Sequence, residues 1–174
     1  MLMGIDINIF RFFNDTCQND VWNFLMPFVT EFGGGTFLFA VALVMLFFKN
    51  RRTKVGGILL MAGLTFSYQI VHVLKTLVAR PRPFLLLPDV NTMFTTGGFS
   101  FPSTHSAMIF MAVFVMTGCC RGWYILYLVA AIVAVSRVYL GLHFPSDVIC
   151  GAFIGMVVGY ALIHIAKNTK MLDE

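Results

Sequence analysis

At 174 residues, 59% hydrophobic and only 11% charged, the chain has too few charges to cover a water-soluble globule, in which about a quarter of residues are charged. Its net charge of +4 is small and forms no basic stripe interleaved with aromatics, which gives no support to a nucleic-acid partner. Four cysteines (Cys17, Cys119, Cys120 and Cys150) show neither C-x-x-C spacing nor a His-rich neighbourhood, so they read as small apolar residues in a helix bundle rather than metal ligands. The 19 phenylalanines suit lipid-facing and interfacial positions, and the length fits a single domain, residues 1–174.

From the N-terminus, residues 4–16 place Ile5, Ile9, Phe12 and Phe13 on one helical face with Asp6, Arg11 and Asp15 elsewhere, which predicts a short helix lying in the membrane interface. Asp6 and Asp15 bracket this stretch and no small-residue cleavage site follows, so it does not read as a cleavable signal. Val21–Phe48 is amphipathic at first and wholly apolar from Thr36, with Gly33-Gly34-Gly35 between. It is expected to be one helix or a helix pair, kinked at the glycines and crossing once. Val55–Ala79 is 25 residues, roughly 37 Å at about 1.5 Å per residue, enough to cross with some tilt. Ser103–Gly118, Trp123–Tyr139 and Ser146–Ile165 complete the spans, and Gly151, Gly155 and Gly159 in the last permit close helix packing. The expected fold is an all-α integral membrane protein of about five transmembrane helices plus an N-terminal interfacial helix.

Lysine and arginine orient these spans. The loop of residues 49–54 carries four positive charges, the turn at 119–122 carries Arg121, and the tail carries Lys167 and Lys170. Alternation puts these seven at one end, which is therefore expected in the cytoplasm. The other end holds Arg11, Lys75, Arg80, Arg82 and Arg137, four of which lie at helix ends.

At that second end Lys75, Arg82, His105, Arg137, His143 and Asp147 gather at one membrane depth, where ionisable groups are costly and point to function. Three cations form a clamp for a dianion, the arginine forks matching phosphate oxygens. Pro102 and Pro145 fit first turns of helices, and the helix start after Pro102 would aim the N–H groups of Thr104 and His105 at an anion. Two histidines supply a nucleophile and an acid, and Asp147, four residues beyond His143, can accept the far imidazole proton and fix the tautomer. Arg80 reads as a snorkelling arginine, His72 as a packed histidine and His164 as interfacial.

Lys75-x6-Arg82-Pro83, Pro102-Ser103-Thr104-His105 and Ser136-Arg137-x5-His143-x3-Asp147 resemble, in order and spacing, the three-part signature of the type 2 phosphatidic acid phosphatase superfamily. The resemblance implies a membrane lipid phosphatase working without metal or other cofactor. It implies that His143 attacks phosphorus with Asp147 as its partner, and that His105 protonates the leaving oxygen and then activates water. Lys75, Arg82, Ser103, Thr104 and Arg137 would hold the phosphoryl oxygens. The family usually has glycine where this chain has Thr104.

The expected partners are the lipid bilayer and a phosphorylated membrane lipid. Compact members of this size resemble bacterial envelope-lipid phosphatases, which implies the 1-phosphate of lipid A or undecaprenyl diphosphate as substrate, hydrolysed at the periplasmic or outer face of the cytoplasmic membrane. Phosphatidylglycerophosphate or phosphatidate is the alternative. The connection of residues 84–100 has Asp89 as its one charge and leaves room for no soluble lid, which suits an interfacial headgroup. An anion transporter is a more distant reading, because the charges lie at helix ends rather than midplane and no inverted repeat appears.

Overall fold

The computed structural model describes residues 2–120 and 123–172, and Arg121, assigned above to the cytoplasmic turn, lies outside them. The elements in chain order are α1 (Leu2–Arg11), a π-helical turn (Phe12–Thr16), α2 (Asp20–Glu31), α3 (Gly35–Leu46), α4 (Arg51–Val78), α5 (Pro83–Leu86), α6 (Thr104–Cys119), α7 (Leu126–Tyr139) and α8 (Pro145–Asn168). No strand occurs among the described residues. All five expected spans are helical. Arg51–Leu86 and Pro145–Asn168 are each long and apolar enough to cross a membrane, and α2 with α3 is so only as a pair, bent by 53°, a shape that fits a broken span or a re-entrant loop. The helices α6 and α7 are apolar but shorter, with 16 and 14 residues.

Local chemistry sets the boundaries. Asn19 caps α2 by accepting from Trp22 N, and Asn50 caps α4 by accepting from Arg52 N and Thr53 N. At its far end α4 stops at Ala79, in the left-handed region at φ 49°, two residues before Pro81. Between α2 and α3 the bend lets Gly33 press on α6 and α7. A Cβ there would stand 2.7 Å from Val133 Cγ1 and 3.4 Å from His105 Cβ.

At the centre of the bundle lies α6, between α4 and α8, with Met111, Ala112 and Val115 fully buried beside Leu60 of α4 and Val133 of α7. The glycine row of α8 makes the close approach expected of it. A Cβ on Gly155 would run into the carbonyl oxygen of Ala107 and come within 2.9 Å of Met111 N. Three chain segments meet at one end of the bundle, where Arg52 Nε donates to the carbonyl of Leu172 and Thr53 Oγ1 lies 3.8 Å from Cys120 Sγ. The charged loop of residues 49–54, the end of α6 and the C-terminal tail therefore share that end, as alternation of spans requires.

The N-terminal helix departs from its simplest reading. Ile5, Ile9 and Phe12 are exposed and free to meet an interface, whereas Asp6 and Phe10 face inward and are buried. Residues 12–16 wind as a π-helical turn, with Asn14 fully buried and donating to the carbonyls of Asn91 and Tyr139. Pro102 also differs from expectation. It stands before the N-cap Ser103, outside α6, and follows a cis peptide bond. Pro145 does occupy the first turn of α8.

Candidate active site

Six of the polar residues singled out from sequence line one cavity of about 380 Å³ at the end of the bundle opposite the charged loop: Lys75, Arg82, Thr104, His105, Arg137 and His143. Thr36, Tyr68 and Met108 complete much of its wall. Six segments contribute, α3, α4, α6 and α7 with the connections after α4 and α7, so the cavity exists only once the bundle has closed.

Lys75 and Arg82 are aimed by backbone carbonyls, and Arg137 by a hydroxyl. Lys75 Nζ donates to the carbonyl oxygens of Phe99 (2.5 Å) and Ser100 (3.2 Å). Arg82 Nε donates to Gly98 O (3.0 Å), Nη2 to Gly97 O (3.1 Å) and Nη1 to Leu142 O (3.0 Å). Gly98 adopts φ 75°, a conformation that favours glycine and turns this loop onto the guanidinium. Arg137 is buried, its Nη1 donating to Thr30 Oγ1 at 2.8 Å, while its Nε has no partner among the described residues.

The tautomer of His143 follows from its neighbours. Arg82 Nη1 lies 3.4 Å from His143 Nε2, and a guanidinium can only donate, so the contact works when Nε2 is unprotonated. The proton then sits on Nδ1, which faces Ser100 Oγ at 3.4 Å and Asp147 Oδ2 at 3.7 Å. Asp147 Oδ2 in turn accepts from Ser100 Oγ (2.5 Å) and Phe144 N (2.9 Å). At 3.7 Å the Asp147 oxygen is outside ordinary hydrogen-bond reach of Nδ1, so Ser100 bridges the pair. Burial depresses the pKa of His143. The contact to Asp147 raises it, while Arg137, Arg82 and Lys75 add to the depression. The imidazole is thus held neutral, with the lone pair of Nε2 beside Arg82.

Thr104 and Ser103 take distinct places. Thr104 is the first residue of α6 and is absent from the positive-φ positions, so glycine's conformational freedom is not called on there. Ser103 is fully buried and is not part of the cavity lining. Its Oγ accepts from Ser106 N (3.4 Å) and Ser106 Oγ (3.0 Å) as the helix cap, and its N donates to Asp147 O (2.9 Å). Asp147 lies behind His143, outside the lining and fully buried.

Sequence reasoning missed Ser100, Thr30 and Arg80. Arg80 does not snorkel. Nη1 donates to Asp147 Oδ1 at 2.5 Å, Nη2 to Asp6 Oδ2 at 2.6 Å, and the guanidinium lies 4.1 Å over the Phe144 ring. Nothing in Arg80-Pro81-Arg82-Pro83 separated the two arginines, because residues two apart in an extended segment are expected on the same side. His72 is exposed rather than packed, stacked on Tyr68 at 6.0 Å.

An all-helical membrane protein with a cationic cavity holding two histidines at its helix ends is the architecture of a membrane phosphatase. The chain belongs to the PAP2 superfamily, whose family model matches residues 53–171. It is 32% identical over 188 aligned residues to the lipid A 4'-phosphatase of Bacteroides thetaiotaomicron, spanning 99% of this chain and 82% of that one. To the undecaprenyl-diphosphatase of Sulfolobus acidocaldarius it is 28% identical, over 95% of this chain and 81% of the relative. The crystal structure of Aquifex aeolicus LpxE superposes with a TM-score of 0.81 at 30% identity, covering 92% of this chain and 95% of that chain. A transmembrane PAP2-type phosphatidylglycerolphosphate phosphatase from Bacillus subtilis shares the fold, with TM-score 0.81 at 22% identity over 96% of this chain and 87% of that one.

Proposed function

We propose that the protein hydrolyses a phosphate monoester or diphosphate of an envelope lipid, the 1-phosphate of lipid A or undecaprenyl diphosphate, through a phosphohistidine on His143. The observation that carries this reading is the placement of His143, with Nε2 beside Arg82 on a cavity also lined by Lys75, Arg137 and His105. Lys75, Arg82 and Arg137, with the first-turn N–H groups of α6 that Ser103 caps and Thr104 begins, bind the phosphoryl oxygens. Nε2 attacks phosphorus, the bond from phosphorus to the lipid oxygen breaks, and His105 delivers its proton to that oxygen. His105, now neutral, takes a proton from water. The hydroxide cleaves the phosphorus–nitrogen bond, releasing phosphate and restoring both imidazoles. Asp147, through Ser100, holds the Nδ1 proton and offsets the positive charge that grows on the ring.

Three cations supply the charge that Mg²⁺ brings to many phosphoryl transfers. Among the described residues no three His, Cys, Asp or Glu side chains come together as a metal site. The excess of positive charge at the opposite end supports a site facing the periplasm or cell exterior from the inner membrane.

A relative named undecaprenyl-diphosphatase favours that substrate and one named lipid A 4'-phosphatase favours lipid A, though by its 4'-phosphate rather than its 1-phosphate, while a Bacillus subtilis relative named phosphatidylglycerophosphatase B, 28% identical, favours the alternative. Phosphate release from undecaprenyl diphosphate, lipid A and phosphatidylglycerophosphate, measured in detergent with excess chelator, tests the reading. Turnover of one of the first two with chelator present is expected. Turnover restored only by a divalent ion contradicts the metal-free mechanism, and release from none of the three contradicts the function.

A further inference from the structure

Arg80 and Asp6 touch no part of the cavity, yet they close on the back of Asp147. Arg80 Nη1 donates to Asp147 Oδ1 (2.5 Å) and to Ser146 Oγ (2.7 Å), and Nη2 donates to Asp6 Oδ2 (2.6 Å). Asp6 Oδ1 accepts from Ser146 N (2.9 Å), in the first turn of α8, and Oδ2 accepts from Ser146 Oγ (2.5 Å). One helical turn along α1, Phe10 is fully buried against Phe144, ring centroids 5.5 Å apart. The exposed side of α1 carries Ile5 and Ile9, so the helix is seated on α8 by its inner face alone.

We propose that α1 completes the site, Asp6 acting through Arg80 as a positioning residue for Asp147. The inference rests on the proposed chemistry of His143. A carboxylate turns freely unless both oxygens are held. Oδ2 of Asp147 is fixed by Ser100 and Phe144 N on the His143 side, and Arg80 fixes Oδ1 on the other. The planar fork of Arg80 reaches both carboxylates from fixed positions, a geometry that the point charge of a lysine ammonium on its flexible stem does not reproduce. Asp6 also sets the charge. Alone, Arg80 would draw down the negative potential that Asp147 offers the imidazole, and Asp6 offsets it. With side chains 8%, 20% and 0% exposed for Asp6, Arg80 and Asp147, the three charges act at short range with little screening.

Other charges face His143 from every element packed around it. They are Lys75 on α4, Arg82 in the segment after it, His105 on α6, Arg137 on α7 and Asp147 on α8, with Glu31 of α2 beside Arg137. None of these groups is itself replaced in Asp6→Asn or Arg80→Gln, and Asp6→Asn isolates the α1 contribution.

The test is steady-state turnover of a lipid phosphate by detergent-purified wild type, Asp6→Asn, Arg80→Gln, Arg80→Lys and His143→Ala across pH. Both Asp6→Asn and Arg80→Gln should lower kcat about tenfold or more, since a small misplacement is costly in a preorganised site. KM should stay within about twofold, because no phosphate contact is removed. Arg80→Lys should fail to restore kcat. The acid limb of kcat/KM, where His143 takes up a proton, should move in opposite directions: to lower pH in Asp6→Asn, where Arg80 is left unbalanced, and to higher pH in Arg80→Gln. Should Arg80→Gln not fold, the limb of Asp6→Asn decides alone. Unchanged kcat and an unchanged limb in Asp6→Asn, or full activity in Arg80→Lys, overturns the proposal. If wild type is active and His143→Ala is dead while Asp6→Asn behaves as wild type, only the α1 role fails. Wild type inactive, or His143→Ala active, overturns the phosphohistidine reading and this inference with it.

Discussion

His143 presents its two ring nitrogens to opposite surroundings, Nε2 to a guanidinium and Nδ1 to a hydroxyl–carboxylate pair. Burial and the three cations depress its pKa, so the nucleophile stays neutral to lower pH than an ordinary histidine, near about 6.5. The sign is fixed: protonation stops attack, so the acid limb of kcat/KM should fall below the usual histidine range. A pH–rate profile checks this, and an acid limb at or above that range contradicts the buried, cation-ringed imidazole. Asp147→Asn should keep substrate binding and lower kcat by about 10²–10⁴, because an amide can hold the wrong tautomer. At this scale Lys75, Arg82, His105, Arg137 and His143 were legible because each is an ionisable group at the end of an apolar span, where chance placement is costly. Ser100 and Arg80 were not. A hydroxyl in a loop and an arginine in a proline-flanked segment acquire partners only when the loop closes, and nothing in their neighbours' types announces which.

Among the elements, the approach of α6 to α8 places the start of α6 beside Asp147, through Ser103 N donating to Asp147 O at 2.9 Å. Gly155 makes that approach close. Gly155→Val should destabilise by about 1–3 kcal/mol or more, since the added carbons meet backbone atoms of Ala107 and Met111 that cannot move aside. Gly4→Ala on α1 is the control. Its Cβ meets nothing within 4 Å, and Ala favours helix by about 0.8–1.0 kcal/mol over Gly. Thermal unfolding in detergent should show a lowered midpoint for the first and an unchanged or raised one for the second. The apolar runs read correctly as helices, and the triple glycine as the 53° bend, because lipid forces backbone groups to pair within each segment. The side of α1 that turns inward was not legible. Periodicity located the apolar stripe of Ile5 and Ile9, which faces outward, but not that the charged Asp6 is the anchor, held by Arg80 and Ser146.

For the whole molecule, the segments meeting through Arg52, Leu172, Thr53 and Cys120 define one end and the cavity the other. The charge asymmetry expects the cavity end outside the cell. In a Cys17→Ser background, Thr95→Cys should react with a membrane-impermeant thiol reagent in intact cells, and Lys49→Cys only after permeabilisation. The reverse pattern places the site in the cytoplasm. The most direct test of the central claim uses His105→Ala protein and an activated aryl phosphate, whose leaving group needs little protonation. Attack by His143 should survive while hydrolysis slows, so rapid quench with labelled substrate should trap an acid-labile, base-stable phosphoenzyme on His143. Label on Ser103, or label persisting in His143→Ala protein, would contradict the assignment of His143 as nucleophile.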